Sequence, residues 1–96
     1  MDNLTNQELD YLHHRISVGI TASDVSSSEQ WKWISENLLG ALNDRALITL
    51  KNAKTEEDRM KAQQMYLASQ EPKEVLDRLI QDGRLAAKAL QEISNP

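Results

Sequence analysis

The stretch WKWISENLLGALNDRALITL, residues 31–50, decides the fold class. Trp31, Ile34, Leu38, Ala41, Arg45 and Ile48 recur every three or four residues, the spacing of one face of an α-helix. Leu39, Leu42, Ala46 and Leu50 form a second stripe beside the first. Two adjacent stripes make a wide apolar face, suited to a helix that touches two neighbours. Gly40 weakens such a helix by about 1 kcal/mol relative to Ala unless a neighbour packs against it. The reading is a helix over 29–53.

Upstream, Gly19 to Ser28 is rich in Ser and Asp, which compete for backbone hydrogen bonds and oppose helix. With Gly19 as a stop signal, residues 19–28 read as a flexible linker, Ile20 and Val25 pinning it to the core. Ser26 with Glu29, or Ser27 with Gln30, has capping-box spacing for the next helix. Before the linker, Thr5-Asn6-Gln7-Glu8 is itself a capping box. Leu9, Leu12 and Ile16 then supply one apolar stripe, predicting an N-terminal helix that ends near residue 18.

Downstream, Lys54-Thr55-Glu56-Glu57-Asp58 reads as a helix boundary, with Thr55 as N-cap and three acids at the positive end of the next helix dipole, the competing reading being one helix that runs straight through. A third helix over 56–70 places Met60, Gln63 or Gln64 and Leu67 on one face. Glu71-Pro72 reads as another break, because proline disfavours helix at the residue before it and suits a first turn. A last helix over 72–93 carries Leu76, Ile80, Gly83, Ala87 and Leu90 at 4-3-4-3 spacing, flanked by Val75, Leu79, Ala86 and Ile93. The expected architecture is one all-α domain over the 96 residues. It comprises an N-terminal helix (1–18), a tether (19–28) and a helical hairpin or small three-to-four-helix bundle (29–93).

Composition agrees and narrows the chemistry. Phe and Cys are absent, and aromatic residues make up 4% of the chain, so the core must rest on Leu, Ile, Ala and Met. Without cysteine there is no disulfide, thiolate nucleophile or Cys-ligated zinc. No apolar run approaches membrane-spanning length, and Met1-Asp2-Asn3-Leu4 lacks the basic-then-apolar order of a secretory signal. The expected location is cytoplasmic, or a host cytoplasm or virion for a viral protein. The net charge of −4 argues against non-specific nucleic-acid binding, which depends on phosphate neutralisation.

Catalytic constellations are missing. His13 and His14 are adjacent, so their rings point about 100° apart on a helix, whereas helical zinc sites use i, i+4 spacing. The acids cluster where helix N-termini want them. No Gly-rich phosphate loop, Gly-x-Ser-x-Gly or His-Glu-x-x-His occurs. The expectation is a non-enzyme with no metal and no cofactor.

The local feature that stands out is Trp31-Lys32-Trp33. Two residues apart on a helix, the rings lie about 200° from each other and cannot share one small core. Trp31 lies on the Ile34/Leu38 stripe, so Trp33 is the candidate for exposure, the alternative being that it packs under the 19–28 linker, and tryptophan is enriched at interaction hot spots. Lys32, Arg45 and Lys51 put a modest positive patch nearby. Gly83, Ala86, Ala87 and Ala89 bear little side chain, so another helix can approach closely along the strip from Gly83 through Ala87 to Leu90, either within the chain or from a second copy. Trp33, Lys32, Arg45, Lys51, Gly83, Ala87 and Leu90 are the candidate partner-binding positions.

The order Asn43-Asp44-Arg45-Ala46-Leu47-Ile48-Thr49-Leu50, then Thr55-Glu56-Glu57-Asp58-Arg59, then Lys61-Ala62-Gln63-Gln64-Met65-Tyr66-Leu67, followed by a terminal amphipathic helix, resembles the short α-helical proteins encoded beside terminase and portal genes in tailed phages. The resemblance spans about half the chain and rests on arrangement, so no functional residue is carried over. It implies a role in head assembly or packaging, as an oligomer or as copies on a larger shell. The expected function is therefore a small structural or assembly protein that contacts other proteins, itself included. The alternatives are a helix-turn-helix-like DNA-binding regulator or packaging-initiation protein, and a small inhibitor of a host enzyme.

Overall fold

The computed structural model describes residues 4–94. All regular structure in them is helical: α1 (Asn6–Ser26), α2 (Glu29–Trp33), a π-helical segment (Ile34–Leu39), α3 (Gly40–Lys51) and α4 (Glu56–Ser94). The segments from 29 to 51 follow one another without a break, so the described residues form three long helical stretches. It divides into two compact units. One consists of α1 with the part of α4 from Leu76 onward. The other is Ser27–Val75.

Helix α1 starts as its sequence requires. The Glu8 N–H donates to Thr5 Oγ1 at 3.1 Å, and the Thr5 N–H donates to the Glu8 carboxylate at 2.8 Å. It does not stop at Gly19. The helix continues to Ser26, so the linker expected over 19–28 shrinks to a turn at Ser27 and Ser28. The reason is packing. Gly19 lies buried against Gly83, and a Cβ on either residue would fall 2.9 Å from the other's Cα. Two glycines let two helix backbones meet, and that contact outweighs the low helix propensity of glycine. Helix α1 is therefore packed along α4 instead of hanging on a tether.

The two helices of this unit run antiparallel. Leu4 and Leu12 line one groove with Ala89 and Ile93, and Val25 lines another with Leu76. Ala22 and Ala86 are buried, continuing the small-residue seam. On one side Arg15 bridges to Asp82 at 3.0 Å while its guanidinium sits 5.4 Å from the Tyr11 ring centre. A partly exposed pair of this kind contributes roughly 0–1 kcal/mol.

In the second unit the chain enters α2 through Ser28, whose hydroxyl accepts from the Trp31 N–H at 3.0 Å. The cap is therefore neither Ser26 nor Ser27. The helix then widens. At its end the Gly40 N–H donates to the Ser35 carbonyl five residues back, the π-helical pattern. Asn37 donates its side-chain amide to the Trp33 carbonyl at 3.0 Å where the wide turn begins. A π segment takes up one extra residue, and that slip moves every later position. The stripe Trp31 and Ile34 continues inward as Leu39, Leu42, Ala46 and Thr49, each one residue beyond the positions expected at constant α pitch. Leu38, Ala41, Arg45 and Ile48 are turned out to solvent instead.

After the turn over 52–55, Thr55 caps α4 by accepting from the Asp58 N–H at 3.1 Å. Thr49 Oγ1 reaches Met65 Sδ at 3.9 Å, tying the two arms of the hairpin. Helix α4 then runs through Pro72 without a break, contrary to the boundary expected there. Proline removes one N–H from the helix ladder, the bond to the Ala68 carbonyl. Its ring, however, falls on the packed face. Ala62, Met65, Ser69, Pro72, Leu76, Leu79, Gly83, Ala86, Leu90 and Ile93 alternate by three and four and are all buried or half-buried. Met60 and Leu67, expected to share one face of this polar stretch, are exposed.

Candidate functional site

What these helices bury is small, and what they expose is large. The buried apolar residues among the described ones are Ala22, Leu39, Ala46, Ala62 and Ala86. Outside lie Ile20, Trp33, Leu38, Leu47, Ile48, Leu50, Met60, Leu67 and Leu85, each more than half exposed. Seams of Gly, Ala and Ser bring backbones close but leave few large side chains inside, so two apolar surfaces remain.

The first belongs to the α1/α4 unit. Beside the Gly19–Gly83 contact, Ile16, Ile20, Ile80 and Ala87 line an open groove of about 280 Å³, with Ser23 and Arg84 at its margin. Ile20 is 59% exposed. The opposite side of the same helix pair carries the Arg15–Asp82 bridge and is more polar, lined by Tyr11, His14, Arg15, Val18, Leu79 and Asp82.

The second surface belongs to the Ser27–Val75 unit. Trp33 is 58% exposed at the entry to the π segment, and Trp31 is half-buried, as their separation around the helix requires. The one-residue slip sets Leu38 and Ile48 outside too. Lys32, Arg45 and Lys51 are exposed on the same helical stretch.

The candidate positions thus separate. Trp33, Lys32, Arg45 and Lys51 stand at the surface of one unit. In the other, Ala87 is exposed and Leu90 is half-buried. Gly83 is buried against Gly19, so a close helix approach at this strip is made within the chain. Gly40 makes no such approach: a Cβ there would meet only the Ser35 carbonyl, at 3.8 Å. Sequence reading missed Ile20 and Ile80 as a pair, because ending the helix at Gly19 removed Ile20 from it. Ile16 and Ile20, four residues apart, were the available signal.

His13 and His14 are both exposed, and among the described residues no three His, Asp or Glu side chains are placed to hold a metal ion. No helix in them is long and apolar enough to cross a membrane. No protein-family model, curated protein or solved structure matches the chain.

Proposed function

We propose that this chain is a non-enzymatic helical assembly protein that works by offering apolar helix faces to other protein surfaces. One observation carries the reading: its helices pack through glycine, alanine and serine while large aliphatic and aromatic side chains face outward in each unit. Single exposed apolar residues are ordinary, but contiguous ones mark interaction surfaces. The resemblance to short helical proteins of phage head and packaging clusters agrees with this reading but does not carry it.

Photo-crosslinking groups placed at Ile20, Trp33 and Ile48 in cells making the protein test the proposal. Crosslinks to protein are expected at these positions and not at exposed polar controls such as Gln91. A chain that crosslinks to no protein at any of the three would overturn it.

A further inference from the structure

We infer that residues 34–51 form a two-register element. In the register described above, the π segment sets Leu39 and Ala46 inside. In the second, the segment keeps α pitch. Each residue beyond it then takes the place its successor now holds, and Leu38 and Ile48 turn inward. The shift stands apart from the contact reading above, and only its consequence for a partner rests on that reading. Leu38 and Ile48 are at the surface in the π register and leave it in the other, while Trp33, ahead of the slip, stays. A partner that binds Trp33 together with Leu38 or Ile48 therefore selects the π register through its differential affinity.

A π segment inside an α-helix is rare, and this one leaves a polar atom stranded. Asn43 is half-buried, and its Oδ1 is enclosed with no hydrogen-bond partner among the described residues. An enclosed, unpaired acceptor costs free energy. At α pitch Asn43 takes the exposed place of Asp44, where water satisfies it, and Leu42 takes the half-buried place of Asn43. The apolar places are also refilled. Leu38 takes the buried place of Leu39, and Ile48 takes the half-buried place of Thr49, whose contact with Met65 Sδ is lost. Leu39 takes the place of Gly40, where a Cβ meets only the Ser35 carbonyl, at 3.8 Å, so there is room for it. One residue opposes the second register. Arg45 would take the place of Ala46, which is 2% exposed. A charge carried into a seam of small side chains is costly. Arg45 is thus the lock on the π register and Asn43 the group that works against it. The second register is then a minor state, on the order of 1% of the population.

The chain has no cysteine, so single thiol probes read the register. Leu38→Cys and Leu39→Cys are each made with and without Arg45→Ala, and thiol labelling rates are compared, with helix content followed by circular dichroism. With Arg45 in place, the thiol at position 38 should label fast and that at position 39 slowly. Arg45→Ala, at an exposed position, should slow the first and speed the second, lowering the ratio of the two rates about tenfold or more. Adding Asn43→Leu, which fills a half-buried place in the π register alone, should bring the ratio back. The natural chain gives a second measurement that needs no variant. Methyl relaxation dispersion should show exchange at Leu38, Leu39 and Ile48 and none at Leu12 or Ile93 of the α1/α4 unit. A rate ratio that Arg45→Ala leaves unchanged, with helix content kept, overturns the inference. So do quiet methyls at Leu38, Leu39 and Ile48 in the natural chain, however the variants fold. A single register with crosslinks to protein through Trp33 and Ile48 would leave the contact reading standing. Two registers in a chain that crosslinks to no protein would remove the contact reading and leave the shift.

Discussion

Gly83 and Gly40 are both helical, yet a methyl group should act on them in opposite directions. A Cβ on Gly83 meets backbone on two sides, the Gly19 Cα at 2.9 Å and the Arg15 carbonyl at 3.1 Å. Backbone cannot swing away as a side chain can, so the two helices must part. Gly83→Ala is expected to destabilise by about 1–3 kcal/mol despite its gain in helix propensity. At Gly40 the same methyl meets one carbonyl at ordinary contact distance. Gly40→Ala should therefore stabilise by about 0.5–1 kcal/mol. Thermal melts of both variants check the pair, and equal shifts of the same sign would contradict the close helix crossing. Trp33 offers a third comparison. It is 58% exposed, so Trp33→Ala should change stability by no more than about 0.5 kcal/mol while abolishing crosslinks made through that face. A melt lowered as much as for a core truncation would place Trp33 in the core.

At the scale of elements, the π segment is what the sequence concealed. The positions of 31–50 were legible as helix, but the packed stripe takes Trp31 and Ile34 from one expected stripe and Leu39, Leu42 and Ala46 from the other, and nothing in their spacing tells where a turn widens. Constant pitch assigns Leu38 to the core alongside Trp31, whereas the extra residue assigns Leu39. Truncation separates the two. Leu39→Ala should cost about 2–4 kcal/mol, and Leu38→Ala less than about 0.5 kcal/mol, read from denaturant midpoints. Reversal of that order would mean the helix keeps α pitch throughout. The same limit explains Gly19 and Pro72. Local rules weigh each as a helix breaker, and the long-range contact that overrides the first, Gly19 on Gly83, joins residues 64 positions apart. The caps at Thr5 and Thr55, by contrast, depend only on neighbours within three residues and were readable directly. For the site, Trp33 was legible from helix geometry, whereas Ile20 and Ile80 needed the tertiary contact to bring them together. Pro72→Ala restores the missing N–H to α4 and should raise stability by about 1–2 kcal/mol, the helix gain less the entropy that proline removes from the unfolded chain. A fall would show that the half-buried ring contributes more to packing than the hydrogen bond does.

For the molecule as a whole, the division into two units makes a prediction about how it opens. Each unit closes its own seam, Gly19 on Gly83 in one and the hairpin tied by Thr49 and Met65 in the other, yet α4 contributes to both. Cooperative opening follows shared packing more than shared secondary structure, because a helix in water is marginal without a packed face. Backbone amides of α4 should therefore fall into two groups in native-state hydrogen exchange. Those before Leu76 should open with 29–51, and those after it with α1. Gly83→Ala should accelerate exchange in α1 and in the later part of α4, with a smaller effect on 29–51. Leu39→Ala should show the reverse pattern. Were both variants to accelerate every amide of α4 equally, the helix would be opening as one rod, and the seams would be coupled through it instead of holding two units separately.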